Sequence, residues 1–474
     1  MVSIKTNYLY SIFYQLLSMI VPIFTIPYLS RIFGAEGMGL FSYTLSVTQY
    51  FVIFAMLGLT NYGVRAIAIV RDDFQKLNQT FSEIWVMQFM TGSLVTVFYI
   101  VFLFFFCNKY INLYLPQTLC VIATLVDVNW FFFGKEEFRL TVIRNSVIKL
   151  LTLFSIFMFI KSEDDLWLYV LLYSGSIFLS ALLLWPILIK QVHFIKPTMT
   201  GVLKHFKPNC VMFIPVVAVS VYKYMDKIML GINSLAQAGY YENVEKILTV
   251  SLGLVTAFGT VMLPRISNLI ANKKNSDANI YLKKSMEFIM FLSIGMACGL
   301  YLISDIFVPI YFGPGFEECI RIMRCLSITI IITSWANVIR TQHLIPNHKD
   351  KTYVYSVILG AIVNFIGNLL MIPKYGAIGA VYSTIVAEFT VSLSQTIGSD
   401  RGLPYRQMFA DLAAYFCIGL TMIVLTEFTK RQLCQGIDKT YVLFIVVFFG
   451  GFIYLLLSLL YKKIIKKGHA FSKA

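Results

Sequence analysis

The sequence predicts an all-α integral membrane protein of about fourteen transmembrane helices, and three observations carry that prediction. Of its 474 residues, 58% are hydrophobic, 13% are charged and 41 are Phe, more apolar surface than a soluble fold can bury. Uncharged or nearly uncharged runs long enough to cross ~30 Å of hydrocarbon recur along the whole length. The connections between them are short and leave no room for a soluble catalytic domain, so the reading is of a protein that is not an enzyme.

In chain order the spans run over residues 7–30, 39–63, 81–107, 111–134, 138–160, 166–190, 208–232, 238–263, 285–306, 322–345, 352–373, 376–398, 406–428 and 440–461. The first contains Pro22 and Pro27 and lacks the small-residue cleavage site of a signal peptide, so it is read as a retained span. The eight cysteines are scattered, with no C-x-x-C pair, and the five histidines lie in or beside connections. No metal site and no cofactor are expected.

Basic residues are unequal between alternate connections: 26 Lys and Arg fall on one side, from Lys5 to Lys473, and nine on the other. The richer side is predicted to be cytoplasmic, which places both termini inside. Most of the net charge of +15 is then a topology signal with added attraction to anionic lipid, and nucleic-acid binding is not needed to explain it. Lys430, on the poorer side, reads as a solvated outer-loop lysine whose replacement should be silent.

Compared with itself at an offset of 200, the chain repeats. Met38-Gly39-Leu40-Phe41 falls on Ala238-Gly239-Tyr240-Tyr241, Thr60 on Thr260 and Arg65 on Arg265, with Gly34 and Gly231 each just before a turn. Six spans separate the copies; an even number preserves orientation, so parallel repeats are expected. The predicted organisation is a six-helix bundle over residues 1–206, a second over 207–400, and two further helices with a basic tail over 401–474. A fainter echo, Tyr375-Gly376-Ala377-Ile378-Gly379, matches Phe33-Gly34-Ala35-Glu36-Gly37.

Residues 221–246 concentrate charge in an apolar chain. Lys223, Asp226 and Lys227 end one span, and Glu242, Glu245 and Lys246 begin the next. On an α-helix each trio shares one face, and a hairpin turn over Gly231 to Ala238 would bring the faces together. Ionisable groups inside a bilayer cost several kcal/mol and mark pathways; a structural ion-pair cluster locking two helices explains Asp226 and Glu242 equally well. Lys223 is expected a turn deeper than Lys227, which can snorkel. Asp127 and Glu388 are isolated acids in spans 4 and 12, suited to a coupling proton or to pairing. Arg65, Arg71, Asp72 and Asp73, partly repeated by Arg265, read as a cytoplasmic gate or anchor, and Pro22 and Pro27 as hinges or packing features.

Pro22 to Gly39, Asn61-Tyr62-Gly63-Val64-Arg65, Asp226-Lys227-Ile228-Met229-Leu230-Gly231 with Gly239-Tyr240-Tyr241, and Ile372-Pro373-Lys374-Tyr375-Gly376 resemble bacterial polysaccharide flippases. These are the Wzx-type exporters of the multidrug/oligosaccharidyl-lipid/polysaccharide exporter superfamily. The resemblance covers at least residues 7–400 and implies a V-shaped pair of bundles in the bacterial cytoplasmic membrane. It implies transfer of undecaprenyl-diphosphate-linked oligosaccharide from the cytoplasmic to the outer leaflet, for O-antigen, capsule or a related polysaccharide. Membrane lipid, a polymerase and chain-length machinery would be its partners. A diphosphate wants cations, and Arg31, Lys149, Lys223 and Lys227 are the ones in reach of a cleft. The competing readings are a multidrug or organic-cation exporter of the same superfamily, which would prefer carboxylates there, and a membrane-embedded polysaccharide polymerase, which would carry a large external loop.

Overall fold

A computed structural model describes residues 4–400, 402–433 and 437–471. Arg401, Cys434 and Lys473 lie outside the described residues, as do the side chains of Lys5, Lys466, Lys467 and His469. Every regular element among the described residues is helical: α1 (Ile4–Met56), α2 (Leu59–Val70), α3 (Phe74–Phe106), α4 (Ile111–Val126), α5 (Asn129–Gly134), α6 (Phe138–Phe159), α7 (Leu166–Leu182), α8 (Trp185–Leu188), α9 (Met199–Ser220), α10 (Asp226–Asn233), α11 (Leu235–Ala271), α12 (Asn275–Tyr311), α13 (Glu318–Leu326), α14 (Ile328–Ile339), α15 (Asp350–Tyr375), α16 (Ala377–Ile397), α17 (Tyr405–Leu433) and α18 (Lys439–Phe471).

Among the described residues, twelve helices are long and apolar enough to cross a membrane. One of them, Phe13–Val70, takes in both of the first two expected spans, and the expected fourth span is the shorter apolar helix Ile111–Val126. Their outward faces stay apolar, with Phe104, Phe105 and Phe106 all more than 70% exposed, a surface that only hydrocarbon satisfies.

Packing divides the chain into two compact units, Met1–Gly239 and Tyr240–Ala474. In the first, α4 lies among α1, α3 and α7, and α6 packs on α1. Phe33, Phe41, Ile156 and Tyr169 close one core; Phe81, Trp130, Phe131 and Phe132 close another. The break in α1 falls at Gly34, with φ 62° and ψ −174°, whereas Pro22 and Pro27 lie within continuous helix. Left-handed backbone costs a residue with a side chain about 1–2 kcal/mol, which explains the glycine. The second turn falls within the expected stretch: Gly231 is still inside α10, its Cα packed against the Tyr43 ring, and the chain turns at the single extended residue Ser234. Gly34 and Ser234 are themselves 200 apart, so the repeat is truer than the sequence comparison of glycines suggested. After the turn, α1 and α11 cross at Gly39 and Gly239, each closing on a backbone carbonyl of the other helix.

In the second unit α15 and α16 form a hairpin joined at Gly376, φ 57°, the same left-handed turn as Gly34 and the structural content of the third echo. α12 carries α13, α14, α17 and α18 along its length. Leu302, Ile306, Val442 and Val446 seal α12 to α18. The expectation for Lys430 is overturned: it is 3% exposed, and its Nζ donates to the Leu302 carbonyl at 3.0 Å and to both Asp305 oxygens at 3.1 Å. It also pairs with Glu427 at 2.5 Å. An acid on α12 and another on α17 turn it inward, a tertiary pairing that loop position alone does not reveal.

Candidate functional site

The Lys223 region departs from the predicted face because the helix there is not α. Val221–Met225 is a turn of π-helix between α9 and α10, and its wider winding breaks the i+3 and i+4 alignment of Lys223 with Asp226 and Lys227. Asp226 is 1% and Lys227 8% exposed, while Lys223 is exposed and sits 5.3 Å from the centroid of the Tyr224 ring. Lys227 is thus the buried lysine and Lys223 the accessible one, the reverse of the snorkelling order. Among the described residues Lys223 makes no ion pair.

Glu242, Glu245 and Lys246 belong to the second unit. Lys246 Nζ reaches Glu242 Oε1 at 3.0 Å along α11, and Glu242 is 8% exposed. Glu388, within α16, accepts from Thr333 Oγ1 of α14 at 3.1 Å, with Arg340 in electrostatic reach. Arg265 donates to the Tyr281 hydroxyl and lies 4.2 Å from that ring's centroid.

A cationic site in the first unit is built around α6. Lys149 is half-buried with Nζ 5.5 Å from the centroid of the Tyr14 ring on α1. One and a half turns earlier, Arg144 directs Nη2 to the side-chain oxygens of Asn129 (2.9 Å) and Asn145 (2.6 Å). Asn145 is itself held by Ser180 of α7 at 2.8 Å. Asp127 ends α4, and its Oδ1 accepts from the backbone and side chain of Asn129 at 2.9 and 2.5 Å. The carboxylate therefore meets the guanidinium through an amide and not directly. Arg144 Nη1 is buried with no hydrogen-bond partner among the described residues. Neutral oxygens orient this cation, Asp127 is its charged neighbour across the Asn129 amide, and the buried Nη1 edge is left as a donor that an anion could accept from. Tyr14 is within electrostatic reach of Arg144 and under Lys149, so one α1 side chain borders both cations.

The remaining expected residues stay apart. Arg31 is exposed and donates Nη1 to the Pro27 carbonyl at 3.2 Å. The cluster expected to be cytoplasmic disperses: Arg71 pairs with Glu136 at 2.7 Å, Asp73 caps α3 through Lys76 N and pairs with Lys76 Nζ, and Arg65 is exposed with no ion pair among the described residues. Capping draws Asp73 away from the arginines because a helix start needs an acceptor.

Two polar sets escaped sequence reasoning. Glu83, 1% exposed, receives Lys204 Nζ at 2.6 Å, His205 Nε2 at 3.0 Å and Gln79 Nε2 at 3.0 Å. Its partner His205 is hydrogen-bonded through Nδ1 to the Tyr62 hydroxyl at 2.5 Å. The available signal was an acid in the first turns of an apolar run with a Lys-His pair elsewhere. In the second unit Asn243, Asn337, Gln342 and Gln395 are buried with side-chain atoms that have no hydrogen-bond partner among the described residues, the kind of polar interior that ordered water satisfies.

A two-unit, all-helical fold whose helices are long and apolar enough to cross a bilayer defines a polytopic membrane protein. The chain belongs to the polysaccharide biosynthesis protein family, whose description matches residues 4–270. It is 22% identical over 399 residues to a protein of Escherichia coli (strain K12) whose name proposes it as an O-antigen transporter, covering 82% of this chain and 95% of that one. The fold is similar to that of lipid II flippase MurJ in an inward closed conformation, with TM-score 0.76, 14% identity, and 97% and 100% of the two chains covered. It is also similar to an inward-facing MATE family multidrug transporter of the MOP superfamily, with TM-score 0.53, 12% identity, and 83% and 98% covered. These two likenesses show the fold.

Proposed function

We propose that this protein is a flippase that carries an undecaprenyl-diphosphate-linked oligosaccharide from the cytoplasmic to the outer leaflet of the bacterial inner membrane. The observation that carries the reading is the family match over residues 4–270. A polysaccharide precursor must cross hydrocarbon, and each unpaired polar group of its sugars costs several kcal/mol there. Spontaneous flipping is negligible, so a protein path is required; no covalent step is.

Arg144 and Lys149 are the cations of this path best suited to a diphosphate, joined by Lys223, Lys227 and Arg31. Asp127, Asp226, Glu242, Glu245, Lys246 and Glu388 tune its field. Pro22 and Pro27 remain proposed bend points of α1, and Arg65, Arg71 and Arg265 proposed cytoplasmic anchors. Residues 1–206 and 207–400 act as the two moving halves, with 401–474 as an added pair. Both termini are cytoplasmic, by the imbalance of 26 to nine basic residues. The product serves a polysaccharide polymerase and its chain-length machinery.

The test is export of surface polysaccharide by a bacterial strain lacking its own O-antigen flippase. Expression of this chain restores export, and Arg144→Ala with Lys149→Ala removes it while the protein still accumulates in the membrane. Failure of the parent chain in strains of several polysaccharide types would overturn the reading.

A further inference from the structure

The second unit contains a basic cavity lined by none of the residues assigned above to the transport path. About 480 Å³ in volume, it opens where the first three turns of α12 meet the start of α17. Lys283 and Lys284 supply its charge, Ser276, Asn279 and Gln407 its neutral hydrogen-bonding groups, and Ile280 an apolar wall.

Its one lining acid, Glu287, is engaged from elsewhere, by Lys462 of α18 at 3.1 Å and by the Tyr415 hydroxyl at 3.4 Å. Asp411, within electrostatic reach of Lys283, accepts from the Tyr461 hydroxyl at 3.2 Å. With both acids so engaged, neither Lys283 nor Lys284 has an acid within 4 Å among the described residues. Pro404 and Gln407 on the rim bring the positive end of the α17 dipole to the same space.

Two unmatched cations, amide and hydroxyl groups and a helix N-terminal end are the recognition elements of a phosphodiester. The apolar sector says where it comes from. Ile280, Lys284 and Phe288 recur at intervals of four along α12, and Ile280 and Phe288 are 49% and 43% exposed. A headgroup at Lys284 therefore leaves its acyl chains along an apolar helix face directed at the membrane, an arrangement that free phosphate does not need. We propose that this cavity is a binding site for the headgroup of an anionic phospholipid, seated between α12 and α17 and bracing α17 on the second unit.

The experiment uses the full-length protein purified in a neutral detergent, titrated with phosphatidylglycerol and with phosphatidylcholine of matched chains, and read by native mass spectrometry. Phosphatidylglycerol is retained and raises the unfolding temperature, whereas phosphatidylcholine does neither. Each lysine contributes roughly fivefold in affinity, so Lys283→Ala with Lys284→Ala weakens phosphatidylglycerol binding about thirtyfold. Asn279→Glu, which puts a carboxylate in place of a neutral lining amide, weakens it as well. Lys273→Ala with Lys274→Ala, on the loop outside the cavity, leaves binding unchanged. Equal binding of the two lipids, unchanged binding by the double lysine variant, or complete displacement by millimolar inorganic phosphate would each overturn the proposal. None of these readouts depends on the substrate carried.

Discussion

Gly39 and Gly239 occupy reciprocal positions at one helix crossing: a Cβ on Gly39 would lie 1.7 Å from the Leu235 carbonyl oxygen, and a Cβ on Gly239 would lie 2.0 Å from the Ala35 carbonyl oxygen. The four residues form two pairs offset by 200, so the internal repeat brings α1 and α11 together through its own equivalent positions. Small residues let helix backbones approach this closely in membranes, where packing and not hydrophobicity holds helices together.

Gly39→Ala and Gly239→Ala are each expected to destabilise by about 3 kcal/mol, since a backbone carbonyl cannot rotate away as a side chain would. Gly34→Ala meets no atom within 4 Å and is expected to cost only the left-handed backbone strain, about 1–2 kcal/mol. Thermal unfolding in detergent checks the ranking; equal losses for Gly34 and Gly39 would mean that strain, not crowding, dominates.

Lys430→Ala is expected to loosen α17 by roughly 3 kcal/mol, because it strips a buried cation from Asp305 and Glu427. The loss stays at the lower end since Arg324 still reaches Asp305 at 3.5 Å and Arg431 still reaches Glu427 at 3.2 Å. The thermal unfolding temperature of the variant in detergent should fall accordingly. An unchanged unfolding temperature would return Lys430 to the status of a surface residue.

Asn145→Asp separates a structural Arg144 from an anion-binding one. The new carboxylate would stand beside Nη2 and neutralise the guanidinium while keeping its orientation. A structural arginine would be stabilised and transport kept; an anion-binding arginine would lose its ligand. We expect export to fall at least tenfold with normal membrane accumulation, and Arg144→Lys to fall less because charge survives without the fork.

Lys223→Ala is expected to impair export without lowering protein level, and Lys223→Arg to retain part of it. The π-turn at Val221–Met225 separates Lys223 from Asp226, so Lys223→Ala with Asp226→Ala should not recover wild-type export. Recovery in the double variant would reduce Lys223 to an ion-pair partner.

The Asp400 carboxyl, in the connection before α17, is held below the usual carboxylate range by the Lys349 ammonium at 2.6 Å. Its folded value lies below the unfolded one, so its contribution is present above about pH 4 and is lost as pH falls through the folded value. The stability difference between the parent and Lys349→Ala should be constant from about pH 7 to 8, above the titration of His343, whose Nε2 lies 3.2 Å from the same carboxylate, and should have shrunk below about pH 4. A difference that grows on acidification would contradict the assignment.

The sequence by itself determined the class. Long apolar runs can satisfy their backbone in hydrocarbon only as helices, so composition and run length dictate the spans, and glycines at Gly34 and Gly376 dictate the left-handed turns. Self-comparison at an offset of 200 also brought out Gly39 and Gly239, because the repeat is carried by the residues that touch. Tertiary structure decided which charges are buried and what they meet. A single π-turn, set by packing around α9 and α10, rotated Lys223 out and Lys227 in against the α-helical expectation. Asp305 and Glu427 drew Lys430 into the interior, and Asn129 and Asn145, neutral amides without a sequence signature, oriented Arg144. Burial of a charge depends on partners distant in the chain, and local periodicity has no access to them.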